Sequence, residues 1–240
     1  MFGSLPPTQF DLNFRLGRTP VTVSVFFWLA AAVLGWGLFV AFRDDRGLAL
    51  AMLAGWAGVM FVSILLHEFG HVWAFRWCNI DARVLLYHFG GLAIPTSAGR
   101  LSLGQQIFVS FAGPLVQFIL AGVTFAAMIG FAGGGTLASL PPKVGLFVEV
   151  MLGQLLYINI VWALLNLLPI WPLDGGHICR AVCHLLIGDP AAADTWADRI
   201  GLGTAVVGGL VAFKFQLFYM VFFAAVLGMP HFQRLQGRTR

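Results

Sequence analysis

Charge is what this chain has least of. Asp, Glu, Lys and Arg together make up 10% of its 240 residues, while 59% are hydrophobic. Soluble domains carry about 25% charged residues. With a mean hydropathy of +0.87, the chain cannot cover itself with polar surface, which excludes an ordinary water-soluble globule. Its three cysteines, Cys78, Cys179 and Cys183, are too few and too odd in number for a disulfide framework. Cys179 and Cys183 lie one helical turn apart beside His184, and read as small apolar residues of a buried helix rather than as metal ligands. No dense basic run with interleaved aromatics is present, so the formal charge of +4 is ascribed to arginines flanking membrane spans, and nucleic acid is not expected as a partner. The first twenty residues lack a cleavable signal pattern, so the first span is expected to stay in the mature protein. No internal repeat or low-complexity tract is found.

What is present is a succession of apolar runs. At roughly 20 residues per crossing, the length accommodates about six transmembrane helices and leaves no stretch for a separate soluble domain. Residues 1–20 are expected at the membrane surface, a first span over 21–42, a second over 48–77, a third over 104–131 and a fourth over 145–168. Residues 170–190 are broken by proline and glycine and then become a short helix. Residues 191–229 form one span or two; Lys214 favours two, over 191–212 and 215–229, because an unpaired lysine at the bilayer centre is costly. Between the second and third spans, RVLLYHFGGLAIPTSAGR is too short for a helical crossing and reads as a β-hairpin or re-entrant loop. The expected fold is therefore an all-α polytopic membrane protein with a short re-entrant β-like segment between helices 2 and 3, in a single membrane-embedded domain over 1–240. Six spans place Arg15, Arg18, Arg76, Arg83, Arg100, Arg180, Arg199, Arg234, Arg238 and Arg240 on one side, and Arg43, Arg46, Lys143 and Lys214 on the other. That bias predicts cytoplasmic N- and C-termini, in the cell membrane.

Against this background one polar cluster stands out. His67-Glu68-Phe69-Gly70-His71 is an H-E-x-x-H sequence at the end of the second span. Histidines four apart on a helix project from nearly one face, about 6 Å apart along the axis, and both can bind one zinc ion while the glutamate beside them takes a proton from water. Only two glutamates occur in the chain, Glu68 and Glu149. Chance placement would make the motif roughly once per thousand chains of this composition. Ionisable residues inside a span are expensive without a function. The alternative is a polar helix end whose side chains snorkel to the interface.

A catalytic zinc takes three protein ligands and leaves a position for water. Asp174, in Asn166-Leu-Leu-Pro169-Ile-Trp-Pro172-Leu-Asp174-Gly175-Gly176, is the best third candidate, because the chain break lets a carboxylate turn into the bundle. Its alternative is to cap the helix that starts at Gly175. On its own Asp174 leaves the two readings level; an H-E-x-x-H lacking a third ligand tips it to the metal. His177, His88, His184, His231 and Glu149 are weaker ligand candidates.

These residues resemble the site-2 protease family of intramembrane zinc metalloproteases, in its compact form without a PDZ or CBS domain. The resemblance rests on His67-Glu68-x-x-His71 and on Asn166-x-x-Pro169-x-x-Pro172-Leu173-Asp174-Gly175, supported by Phe89-Gly90-Gly91 and Phe111-Ala112-Gly113-Pro114. It implies a catalytic core within about 48–190, one Zn2+ held by His67, His71 and Asp174, and Glu68 as the base. It also implies cleavage of transmembrane helices of membrane-protein substrates, which would release soluble fragments as signals. Asn166 matches an asparagine that orients substrate or stabilises an oxyanion, with a helix-capping role as the alternative. Where the family often has an asparagine after Gly-Pro, this chain has Gln117. Gly90 and Gly91 would bind an unwound substrate by adding it as a strand. Two other classes compete: a membrane metal transporter, which usually carries internal repeats, and a non-catalytic substrate-binding membrane protein, which has no need of Glu68.

Overall fold

In the computed structural model, residues 8–88, 90–134 and 139–238 are described. Phe89 and residues 135–138 of the loop after the third expected span lie outside them, as do residues 1–7, Arg240 and its neighbour Thr239. Contacts divide the chain into two compact units: residues 1–99 with 115–163, and residues 100–114 with 164–240.

The first unit begins with strands β1 (Leu12–Leu16) and β2 (Thr19–Val23), followed by helices α1 (Val25–Leu34), α2 (Trp36–Ala41) and α3 (Arg46–Trp77). Strands β3 (Ala82–Tyr87) and β4 (Gly90–Pro95) come next. The strands form one four-stranded sheet, β1-β2-β3-β4, in which only β2 and β3 run parallel. Alternate residues Thr19, Val21 and Val23 of β2, and Ala82, Val84 and Leu86 of β3, are buried. The register Val21↔Val84 and Val23↔Leu86 keeps those side chains on one face. An all-α fold with one β-like segment is thus too simple: the expected hairpin exists, but it is half of a sheet. The run VTVSV that opens the expected first span alternates with period two, and hydropathy summed over a window cannot separate such a strand from the start of an apolar helix.

The expected first span is not one helix. α1 and α2 are 10 and 6 residues long and meet at Gly35. There the Trp56 indole of α3 occupies the space a Cβ on Gly35 would need. It also donates from Nε1 to the Ala31 carbonyl over 3.0 Å, so α1 is pinned to α3. α3 is 32 residues long, about 48 Å at 1.5 Å per residue. Asp45 caps its start by accepting from the Leu48 amide at 3.1 Å, and also meets Lys143. Asn79, with φ at +58°, turns the chain out of the helix towards β3.

Helices α4 (Leu103–Gly133) and α5 (Pro142–Asn166) match the expected third and fourth spans closely. At Gly55 of α3, a side chain would strike Phe147 and Met151 of α5, so the two helices approach as closely as small residues permit. The second unit carries α6 (Asp174–Ile187), α7 (Pro190–Lys214) and α8 (Phe218–Arg238). The division of 191–229 near Lys214 is found, with α7 ending at that residue. Among the described residues, four helices are long and apolar enough to cross a membrane: Arg46–Trp77, Leu103–Phe131, Pro142–Asn166 and Pro190–Lys214. The chain is an integral membrane protein.

Candidate metal centre

The stretch of α3 around the motif is buried: Ser63, Ile64, Leu65, His67, Glu68, Phe69, Gly70, His71 and Val72 all lie in the interior. His67, Glu68 and His71 expose only 3%, 4% and 6% of their surface. Three ionisable groups in such a place demand partners.

Their arrangement meets that demand in a specific way. The imidazoles of His67 and His71 stand nearly perpendicular, with centroids 4.7 Å apart. Their Nε2 atoms converge to 3.1 Å. The far nitrogen of His67, Nδ1, lies 2.9 Å from Oε1 of Gln117 on α4. An amide oxygen only accepts, so Nδ1 carries the hydrogen and Nε2 carries the lone pair. A tetrahedral ion bound at 2.0–2.1 Å would set two imidazole nitrogens roughly 3.3 Å apart. The donor set therefore fits zinc. Glu68 Oε1 lies 3.9 Å from His67 Nε2, beside the converging pair rather than within it.

Gln117 is fully buried, and its Nε2 has no hydrogen-bond partner among the described residues. The sequence singles it out as a departure from a family pattern; the structure places its carboxamide oxygen on His67 Nδ1. Outer partners of metal-binding histidines typically contribute 10–100-fold to metal affinity. Gln117→Leu should therefore weaken zinc binding about tenfold or more in a chelator-competition titration. An affinity unchanged from wild type would show that the hydrogen bond does not orient His67. A second polar contact lies one turn earlier, where buried Asn159 of α5 donates to Ser63 Oγ at 2.9 Å. In the sequence Ser63 and Asn159 show only as polar residues inside apolar runs.

The sheet reaches the same place. Gly91 of β4 packs so tightly on Glu68 that any side chain at 91 would collide with the Glu68 carboxyl group. Gly90, at φ +120°, faces the Trp162 ring across a gap too small for a Cβ. Among the described residues β4 pairs with β3 alone and so forms one edge of the sheet.

Asp174 and Asn166 belong to the second unit. Asn166 is the last residue of α5, and Asp174 the first of α6. The extended cap conformation, φ −67° and ψ 160°, is carried by Leu173, so Asp174 stands inside the first turn rather than at the cap. Gly175 and Gly176 are buried against the backbone of residues 167–171, which leaves no room for a Cβ on either.

The remaining candidates have other surroundings. His88 packs edge-on against Tyr87 and Phe26. His184 meets Asp194 at 2.8 Å, a carboxylate it shares with Arg180. His231 is bonded to Asp198. His177 and Glu149 are exposed. Burial, with Cys183 beside it, pushes the Cys179 thiol up to about 11.

Comparison with known proteins places the chain in a family. The family model described as Peptidase family M50 matches residues 56–154 and 142–208. The putative zinc metalloprotease sll0528 of Synechocystis is 30% identical over 146 residues, covering 60% of this chain and 35% of that protein. The putative zinc metalloprotease Rip3 of Mycobacterium tuberculosis is 32% identical over 171 residues, 66% of this chain and 41% of the relative. Stage IV sporulation protein FB of Bacillus subtilis is 31% identical over 161 residues, 66% of this chain and 46% of it. The chain thus matches less than half the length of these curated relatives. The solved structure of a site-2 protease from Methanocaldococcus jannaschii shares the fold, with a TM-score of 0.57 at 21% identity over 94% of this chain and 95% of that one. With the family match running across α3, the hairpin, α4, α5, α6 and most of α7, the chain belongs to peptidase family M50.

Proposed function

We propose that this protein is an intramembrane zinc metalloendopeptidase that hydrolyses peptide bonds within or next to transmembrane segments of other membrane proteins. One observation carries the reading. Two histidine Nε2 atoms converge to 3.1 Å beside a buried glutamate, inside a helix long and apolar enough to cross a bilayer.

His67 and His71 would hold the ion and Asp174 would supply the third ligand; the supports for Asp174 are its motif and its place inside the first turn of α6. Zinc, when bound, is a Lewis acid that acidifies water and polarises a carbonyl. Glu68 accepts the proton of the attacking water and passes it to the leaving amide nitrogen. Asn166 donates to the oxyanion as it forms. The burial of His67, Glu68 and His71 lowers the local dielectric, which strengthens each of these electrostatic interactions.

A helical substrate must unwind before its amides can be attacked, since they are hydrogen-bonded within the helix. β4 offers its free edge for that purpose. Gly91 lies on that strand against Glu68, with Gly90 beside it against Trp162, so a strand added there runs past the base. The Leu86 carbonyl accepts from Ser24 on the β2 side, so the register Leu85↔Leu92 turns the Leu92 amide inward and leaves that of Ala93 on the open edge. Ala93→Pro, which removes that edge amide, should raise KM severalfold, and unchanged cleavage would remove the strand-addition step. Gly91→Ala should lower kcat at least tenfold with zinc retained, because the new methyl displaces the Glu68 carboxyl group. Equal kcat in Gly91→Ala and wild type would show that Glu68 tolerates displacement and is not the base.

In this reading the bilayer is the working environment, and α1–α2 and α8 add to the four long helices to make six crossings. Both termini lie in the cytoplasm and the protein resides in the cell membrane, on the strength of the arginine bias. The activity test is cleavage of a panel of single-span membrane proteins by purified protein in liposomes, with and without a chelator. Loss of cleavage on chelation and recovery with zinc are expected. Cleavage indifferent to chelation, or a protein purified without stoichiometric zinc, would overturn the metalloprotease reading.

A further inference from the structure

The segment Leu167–Leu173 joins α5 to α6 and delivers Asp174. Its backbone donors can be followed one by one. Leu167, Leu168, Ile170 and Leu173 donate to the local carbonyls of Leu164, Leu165, Leu168 and Ile170. Pro169 and Pro172 have no N–H. The Trp171 N–H alone goes to a side chain, Nε2 of His231 on α8, at 3.1 Å.

His231 is 2% exposed, and its ring is committed on both nitrogens. Nδ1 donates to Oδ1 of buried Asp198 on α7 at 2.8 Å, which leaves Nε2 as the acceptor that Trp171 requires. Arg234 Nε donates to the same Asp198 oxygen at 2.9 Å. The Arg234 guanidinium also lies 4.8 Å above the Trp171 ring, so it holds both the carboxylate and the indole. Gly201 of α7 makes the room: a Cβ there would run into the His231 ring. The bound amide lies in turn against Gly176, whose Cβ would meet Trp171 N and the Ile170 carbonyl. Backbone thus rests on backbone from the His231 hydrogen bond to the first turn of α6, where Asp174 sits.

We infer that His231, oriented by Asp198 and Arg234, is a positioning residue for Asp174: it fixes the Trp171 amide and so the direction in which α6 presents its first carboxylate. The inference rests on the reading of Asp174 as a zinc ligand. The two histidines on α3 capture the ion and His231 decides how well the third ligand meets it. Outer contacts of this kind typically change metal affinity 10–100-fold.

The test is zinc affinity of the purified full chain in detergent, measured by competition with a chromogenic chelator, for wild type and the variants His231→Leu, His231→Gln, Gly201→Ala and Asp174→Ala. His231→Leu should bind zinc about tenfold more weakly. His231→Gln should restore most of the affinity, since a carboxamide presents one acceptor and one donor in place of the two ring nitrogens. Gly201→Ala should weaken binding as well, although alanine is the better helix former, because the methyl group displaces the ring. Gly201→Ala decides the matter if His231→Leu does not fold. Unchanged affinity in His231→Leu or Gly201→Ala, with a large loss in Asp174→Ala, would overturn the positioning role while leaving the ligand reading intact. Equal losses in His231→Leu and His231→Gln would also overturn it, since packing alone would then explain the effect. Unchanged affinity in Asp174→Ala would overturn the ligand reading, and this inference with it.

Discussion

Glu68→Gln is expected to retain stoichiometric zinc and to lose 10²–10⁴-fold in kcat, the range general acid–base catalysis supplies. The substitution is nearly isosteric, so the contact between residue 68 and the backbone of Gly91 survives. Glu68 lies beside the converging nitrogens rather than among them, with Oε1 3.9 Å from His67 Nε2. The His67–Gln117 hydrogen bond is untouched. What changes is proton affinity: an amide cannot take the proton of the attacking water. Cleavage assayed by gel mobility of a single-span substrate, alongside zinc content by atomic absorption, separates the outcomes. Cleavage within threefold of wild type would overturn the assignment of Glu68 as the base. Zinc lost together with activity would make Glu68 a ligand rather than a base.

His71→Ala is expected to have the second large effect, on the metal itself. Structural four-ligand zinc sites bind with about 10–16 kcal/mol, so one ligand is worth roughly 3 kcal/mol, or 10²–10³-fold in affinity. Alanine favours the helix, so α3 keeps its course and His67 keeps its bond to Gln117. The loss should therefore appear in zinc affinity and in activity, with helical content unchanged by circular dichroism. If His71→Ala binds zinc as tightly as wild type, the ion is held elsewhere and the converging Nε2 atoms are not its site.

Much of this centre is legible in the chain because helices make spacing into geometry. Histidines four apart meet on one face of any α-helix, so His67-Glu68-x-x-His71 announces its arrangement before folding is considered. The limits of α4 and α5 are legible for a related reason: long apolar runs between polar turns have few alternatives in a bilayer. The β1–β2 hairpin and the break at Gly35 are not. Thr19–Val23 has strand alternation, but it runs without interruption into an apolar stretch. The break at Gly35 depends on an indole that arrives from Trp56 on another helix.

What the sequence determines by itself is the class of molecule and which ionisable side chains share one helical face, since composition dictates the solvent and local periodicity dictates that face. What only the tertiary structure decides is how those groups are held. Gln117 meets His67 across 50 positions of chain, Gly91 meets Glu68 through the edge of a sheet, and His231 meets Trp171 across 60 positions. Each is a contact between segments whose separation carries no periodic signal, and each depends on a close approach that a single methyl group would prevent or on a buried hydrogen bond that only the packed chain can align.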